Sequence, residues 1–416
     1  MKPAKTIVFK ACTLAAVIGA LTPAVTTTAF AGEVKSKGAD LVLDTTGGLK
    51  ISTADNRYSF KLGGRIQWDY DTYDGALTAD GDRKKGGDLR RARLELGGTI
   101  DHDWQYVFSV NVGQATDKDN STNFSSVGIR YSGWDWGSVF VGRTKEPFGL
   151  EELTSSKAIS TIERAYWVES TDVDSNMNYG VRLDGFTDYG LGWGASIGSP
   201  KGGPKDTDGN ENLAVTGRVF FAPMSDFSHA LHFGAAFTDR GISDPMTTSG
   251  FKLDIAEHGG KLDSRSIDIK DDTQFGLEAL YINGPLSFQT EYFRRDLAGA
   301  GSGPDGEVDA YYLQVTYTLT GETRGYKKKK GYTGGIKPSS DQGAWELVGK
   351  YDSISFDQDG FSEEEAKGFL LGANYYPNKH LKFMVNYIHF ESDNVASTAG
   401  RDDDADVLSL RMQLAF

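Results

Sequence analysis

Eight basic residues recur on the polar side of alternating segments: Arg65, Arg91, Arg93, Arg130, Arg182, Arg218, Lys350 and Arg411. A guanidinium stays charged and offers a planar fork of donors that fits phosphate or carboxylate. Rows of Arg and Lys favour anions in a pore. The same side carries Asp69, Glu95, Asp184, Glu278, Glu291 and Asp352. Two readings therefore stand open: an anion-attracting row, or ion pairs that stiffen a wall. Catalytic chemistry finds little support. The six histidines are scattered, and none forms an H-x-x-x-H pair or an H-E-x-x-H set. No G-x-S-x-G or Gly-rich phosphate loop occurs. Asp206-Thr207-Asp208-Gly209-Asn210 begins like a calcium loop, but no Glu follows at the needed spacing. It reads, with Asp117-Lys118-Asp119-Asn120 and Arg401-Asp402-Asp403-Asp404, as solvated loop charge that divalent ions could bridge to lipopolysaccharide. No cofactor and no enzymatic activity are expected.

The elements that would position these charges are strands. Period-two alternation runs through sixteen segments. In the first, Tyr58, Phe60, Leu62, Gly64, Ile66, Trp68 and Tyr70 share one face, and Ser59, Lys61, Gly63, Arg65, Gln67, Asp69 and Asp71 the other. In the last, Leu408, Leu410, Met412, Leu414 and Phe416 alternate with Ser409, Arg411, Gln413 and Ala415. Fourteen more lie near 87–100, 104–114, 126–133, 136–143, 177–186, 191–198, 213–222, 229–239, 273–282, 286–295, 308–319, 344–354, 368–376 and 380–391. Short turns alternate with long loops, among them 144–176, 199–212, 240–271 and 392–404; only 320–343 is long where a short turn is due.

That pattern predicts an all-β fold: a 16-stranded antiparallel transmembrane β-barrel with simple up-and-down neighbours. A soluble sandwich would need a second sheet over its apolar face. In lipid every backbone group must be paired, so the sheet must close. Loop 144–176 mixes Phe148, Leu150, Ile159, Ile162, Tyr166 and Trp167 with Lys157, Glu163 and Arg164. Folded inward as loop three it would bury the apolar groups and narrow the lumen; a solvated external flap or trimer latch is the other reading.

Composition agrees. The chain has 416 residues with 44 Lys+Arg against 58 Asp+Glu, and aromatics at 12% disfavour disorder. Residues 1–31 read as a signal peptide: Lys2, Lys5 and Lys10, an apolar stretch Ala11 to Val25, then Ala29-Phe30-Ala31. Without them the net charge goes from −14 to −17, which argues against nucleic acid as a partner. The one cysteine, Cys12, lies in that leader, so the mature chain has no disulfide or Cys-based metal site. Residues 32–57 read as an N-terminal periplasmic segment and 58–416 as the barrel. An exported hydrolase built on a barrel would need a Ser/His/acid cluster at one edge, and no convincing one appears. A structural or adhesin barrel would have a closed lumen.

Several stretches resemble the phosphate-selective porin O/P family. They are Lys61-Leu62-Gly63-Gly64-Arg65 with Asp69-Tyr70, Leu89-Arg90-Arg91-Ala92, Leu96-Gly97-Gly98-Thr99, and Phe148-Gly149-Leu150-Glu151 with Thr154-Ser155-Ser156-Lys157 and Glu163-Arg164. Tyr317-Thr318-Leu319-Thr320-Gly321-Glu322 and Gly343-Ala344-Trp345-Glu346-Leu347 to Tyr351-Asp352-Ser353-Ile354 also match. The resemblance implies a homotrimeric outer-membrane porin for small anions such as phosphate, with loop three inside. It implies that Arg65, Arg90, Arg91 and Arg164 belong to an arginine ladder. Arg90 and Arg91 have opposite parity, so both can face inward only if the strand bulges there or has not yet begun. Lys327, Lys328, Lys329 and Lys330 stand where the family keeps periplasmic lysines. Four positions depart from the family: Glu152 replaces its constriction lysine, Ser125 falls near its constriction aspartate, and Asp44 and Thr46 stand for two N-terminal lysines. A carboxylate at Glu152 is expected to repel phosphate, which predicts a general or weakly anion-selective pore.

Overall fold

The computed structural model describes residues 41–45, 47–78, 81–112, 123–170, 177–200, 212–256, 260–398 and 404–416. The leader, Thr46, and the Asp-rich strings at 117–120, 206–210 and 401–403 lie outside the described residues. Sixteen strands form the wall. They are β1 (Ser59–Tyr73), β2 (Lys84–Ile100), β3 (Trp104–Asn111), β4 (Asn123–Trp134), β5 (Gly137–Lys145) and β6 (Met177–Phe186). Then come β7 (Leu191–Pro200), β8 (Leu213–Ser225), β9 (His229–Ser249), β10 (Ser266–Asn283) and β11 (Leu286–Gly299). The last are β12 (Gly306–Thr318), β13 (Ala344–Gln358), β14 (Glu364–Tyr376), β15 (Leu381–Asp393) and β16 (Asp404–Ala415). Each pairs antiparallel with the next, and β16 pairs with β1 from Val407↔Tyr73 to Ala415↔Arg65. The sheet is therefore a closed all-β barrel with no lateral edge.

At the seam the Gly64 N–H donates to the Phe416 carbonyl at 2.8 Å and the Phe416 N–H to the Gly64 carbonyl at 3.1 Å. A Cβ on Gly64 would sit 2.5 Å from the Arg93 carbonyl oxygen and 2.8 Å from the Phe416 ring. Only glycine allows that closure.

The alternation sets which face is which. Along β8, Leu213, Val215, Val219 and Phe221 are about half exposed, while Ala214, Thr216, Arg218 and Phe220 are buried. Outward apolar side chains with no protein opposite them fit contact with lipid. On β16 the outward run Leu408, Leu410, Met412 gives way to Asp404 and Asp406, and on β14 Phe369 and Leu371 give way to Glu365 and Lys367. The apolar band thus ends at a rim of charge. On the opposite face Phe293, Phe356, Phe390 and Tyr312 are wholly buried among the polar positions.

Two segments carry strands that the alternation did not indicate. Residues 32–57 carry a hairpin, Leu41–Asp44 against Leu49–Thr53, whose second strand pairs with the start of β1 at Ser59–Leu62. β16 stops at Arg65, so the hairpin covers the part of β1 the seam leaves open. The span 240–271 is not one loop. β9 and β10 extend to Ser249 and Ser266, and between them Lys252–Ala256 pairs with Gly260–Asp263. Leu253, Ile255 and Leu262 of that hairpin are buried in one cluster with Phe251, Trp167, Leu77 and Val407. Glu364 holds its far side, accepting the Arg265 N–H at 2.8 Å and the Ala396 N–H at 2.6 Å.

Candidate functional site

The long connection after β5 is where most of the sequence-selected charges meet. It holds two short helices, α1 (Leu150–Leu153) and α2 (Tyr166–Ser170). Phe148, Leu150, Ile159, Ile162, Tyr166 and Trp167 are all buried. Between the helices the backbone is irregular, and polar side chains of the wall satisfy it. Glu291 of β11 accepts the Leu150 and Glu151 N–H groups at 2.6 and 2.9 Å, capping α1. Lys382 of β15 donates to the Ile159 carbonyl at 2.6 Å, and Asn374 of β14 to the Ser160 carbonyl at 2.7 Å. Asn386 accepts the Ile162 N–H at 2.8 Å. Arg411 donates to the Ile162 carbonyl, and Arg65 to the Ser156 hydroxyl. All these side chains belong to the polar face of the wall.

Three carboxylates, Glu95, Glu152 and Glu163, serve seven cations. Glu163 is bidentate to Arg90 at 3.0 and 3.1 Å, 3.4 Å from Arg91 and 2.6 Å from Arg411, which also binds Asp69. Glu95 pairs with Arg65 and, at 2.9 Å, with Lys157. Glu152 lies 2.5 Å from Lys145 and 3.6 Å from Arg164, whose Nη2 also donates to the Thr154 carbonyl at 2.8 Å. Burial pushes the Glu163 carboxyl up, but Arg90, Arg91 and Arg411 outweigh it and hold it well below the usual range. Burial and the Glu163 charge raise Glu169, which sits 3.9 Å from Arg90.

Arg90 and Arg91 both reach Glu163 because β2 bulges. Gln67 pairs with Arg91 and Asp69 with Asp88, so Leu89 and Arg90 form an extra step opposite Trp68. Ser125 is likewise the skipped residue of a bulge in β4, between Phe124 and Ser126 in the pairing with β3. Arg93 donates to the Asn111 carboxamide at 2.7 Å and, among the described residues, makes no ion pair. Arg130 joins a different group: it and Arg182 share Asp184, at 2.8 and 2.7 Å. Arg218 pairs with Glu278 at 2.7 Å and Lys350 with Asp352 at 3.0 Å. Of the two readings open for the polar-face arginines, pairing is thus met at Arg65, Arg130, Arg182, Arg218 and Arg411.

Lys327, Lys328, Lys329 and Lys330 are exposed at the tip of a small hairpin, Tyr326–Lys327 against Tyr332–Thr333. That long turn is tied to distant strands. His232 of β9 is 2.7 Å from the Tyr326 hydroxyl, Arg218 of β8 donates to the Gly331 carbonyl at 2.6 Å, and Thr333 meets Thr154 at 3.4 Å. Arg324 joins Glu346 to the Ala158 carbonyl, linking the turn to the loop. Lys330 reaches solvent yet is surrounded by protein. That enclosure and the nearby Arg130 charge bring its pKa down to about 8, against the pull of Asp184.

Glu152 is 7% exposed and lies against two cations, Lys145 and Arg164. Lys145, His232 and Lys382 were missed. Lys145 ends a strand seven residues before Glu152, and that spacing was the only signal. A pocket between the loop and β13–β16 is lined by apolar side chains, Leu253, Ile255, Leu370 and Ile388, together with Glu163, Arg164, Lys350 and Asp352.

Comparison with known proteins places this architecture. Residues 60–416 match the family described as phosphate-selective porin O and P. Porin O of Pseudomonas aeruginosa is 33% identical over 430 residues, covering 96% of this chain and 98% of that protein. An uncharacterized protein of Caulobacter vibrioides is 25% identical and covers 95% of this chain and 81% of its own. Among solved structures, an anion-selective porin from Comamonas acidovorans superposes with a TM-score of 0.57 at 16% identity, over 86% of this chain and all of that one. The outer membrane protein OmpT of Vibrio cholerae, solved in a trimer form, gives 0.55 at 12% identity, over 86% of this chain and 99% of that one. A closed sixteen-stranded wall with an apolar outer face, together with a match that spans nearly the whole barrel, shows that this chain belongs to the phosphate-selective porin O and P family of the outer membrane.

Proposed function

We propose that the barrel is a water-filled channel for passive diffusion of small anions, phosphate-type oxyanions included. The segment 146–170 lies across its interior as the constriction. The observation that carries this reading is the sharing of five carboxylates, Asp69, Glu95, Glu152, Glu163 and Glu169, among seven cations, with Arg93 in no ion pair among the described residues. An excess of fixed positive charge where water is scarce raises the local anion concentration. Arg65, Arg90, Arg91, Arg93 and Arg164 act as the anion pathway at the constriction. Arg130 lies toward one mouth with the Lys327–Lys330 tip, which draws anions onward. Ser125 and Glu152 flank the passage.

The chain works as a homotrimer, a reading supported by the likeness to OmpT of Vibrio cholerae, which was solved in a trimer form, and its outer rim meets membrane lipid and lipopolysaccharide. Residues 1–31 are its export signal. No catalytic step is assigned to it. A general, weakly selective pore is the second reading, and it is favoured by one fact: most of the ladder arginines are already held by carboxylates. Titrating phosphate against chloride current in a planar bilayer separates the two. A graded fall of the chloride current supports oxyanion binding. A current that phosphate leaves unchanged supports the general pore.

A further inference from the structure

The small hairpin of Lys252–Ala256 and Gly260–Asp263 hangs between β9 and β10, yet it touches the far side of the cylinder. Lys252–Ala256 contacts β16 and β1, and Gly260–Asp263 contacts the turns Gly75–Leu77 and Ala396–Thr398. In a closed ring of sixteen strands, β9 and β16 stand nearly opposite one another. The route between them is fixed at two points. A Cβ on Gly250 would strike the Phe356 ring of β13, and the Arg265 N–H donates to Glu364 of β14 at 2.8 Å. At the far end the Asp263 N–H donates to the Ser397 hydroxyl at 2.9 Å. The hairpin therefore runs from β10 past β13 and β14 to the seam, at the end of the cylinder that carries the long loops.

What it packs on is one side of the interior. Leu253, Ile255 and Leu262 are buried with Trp167 and Val168 of α2, in a cluster that draws its wall side chains from β1 and β9–β16. Among the described residues, no member of that cluster comes from β2–β8. Leu253 and Ile255 also line the pocket that takes in Leu370, Ile388 and Ser409 of the wall together with Glu163 and Arg164 of the loop. One pocket thus reaches from the underside of the hairpin to the charge cluster around Glu163.

We infer that this hairpin is a lid held shut over a second route from the external mouth to that charge cluster, and that it sets the largest solute the channel admits. Glu364 is its positioning residue: wholly buried, it accepts the N–H of Arg265 at the root of the hairpin and the N–H of Ala396 in the segment on which the hairpin rests. The inference rests on the channel reading and deepens it. The solutes the lid turns away are bulky organic anions.

The test is single-channel conductance in potassium chloride, with polyethylene glycols of rising size to gauge the lumen, so every variant read is one that has folded and inserted. In a lidless channel Phe251 is joined to Ser264 through an Asn-Gly turn, which the existing bond from the Ser264 N–H to the Phe251 carbonyl at 3.0 Å accommodates. Its conductance is expected to rise at least about 1.5-fold and a larger polymer to enter, because a hydrophobic closure at the mouth has been removed. A lidless channel with the wild-type conductance or the wild-type polymer cut-off overturns the inference. A second channel carries Glu364→Ala with Asp263→Cys and Ser397→Cys, a pair close enough for a disulfide in a chain whose one cysteine, Cys12, lies in the leader. Oxidised, it should conduct like the wild type; reduced, it should widen toward the lidless level. A conductance that reduction leaves unchanged overturns the clasp. Cation preference of the wild type in a salt gradient would sink the anion reading alone, since the polymers report width whatever the sign of the charge.

Discussion

Lys330 shows how a single residue couples the pore to pH. Enclosure and the neighbouring Arg130 lower its pKa to about 8, and Lys327 is lowered by burial and by Lys157 and Lys337. Below its pKa the ammonium is charged and adds to the field that draws anions. Above it the charge is gone. Anion preference should therefore fall as pH rises from about 7 to about 9, a range in which an ordinary lysine stays protonated. Reversal potentials measured across that range check this, and Lys330→Met should flatten the profile near its high-pH level. A profile unchanged by the substitution would assign the titration elsewhere. Glu163 behaves in the opposite sense. Its carboxyl is held below the usual range, so its hold on Arg90, Arg91 and Arg411 is complete at neutral pH and is lost only as acid takes the pH below its lowered value.

At the scale of elements, the long loop after β5 and the long turn 320–343 are held by shared wall residues. Glu346 is the shared point. It is fully buried and meets Arg324, Asn374, Tyr376 and Ser160. Glu346→Ala would strand a buried guanidinium, at a cost of about 3–5 kcal/mol. The expected outcome is a lower unfolding midpoint in urea and noisier open-channel current, since loop and turn lose a common anchor. An unchanged midpoint and quiet current would show that the two are held independently. The strands themselves were legible, because lipid outside and polar groups inside impose a period of two along every strand. All sixteen segments are strands, and 177–186 has the expected bounds. The extensions of β9 and β10 were not legible, since above the apolar band both faces of a strand can be polar. The hairpin at 252–263 was hidden for a related reason: its apolar residues are few, and they are buried by contacts with β1, β16 and α2 rather than by its own pattern. The pairing of charges was out of reach too. Arg411 and Asp69 are 342 residues apart, and only closure of the barrel brings them together.

The whole molecule has its layers reversed relative to a water-soluble protein. Apolar side chains lie about half exposed on the outer face of nearly every strand, and the buried polar and charged groups lie within. Among the described residues no helix is long and apolar enough to cross a membrane, and the apolar outer face of the closed sheet is what fits lipid. Closure through β16 and β1, with Gly64 admitting Phe416 at the seam, makes that possible. The central claim is that this cylinder conducts ions and favours negative ones. Single-channel recording of the purified chain across a salt gradient tests it most directly. The account predicts discrete conductance steps whose current reverses on the chloride side of zero. An absence of steps, or reversal on the potassium side, would contradict it.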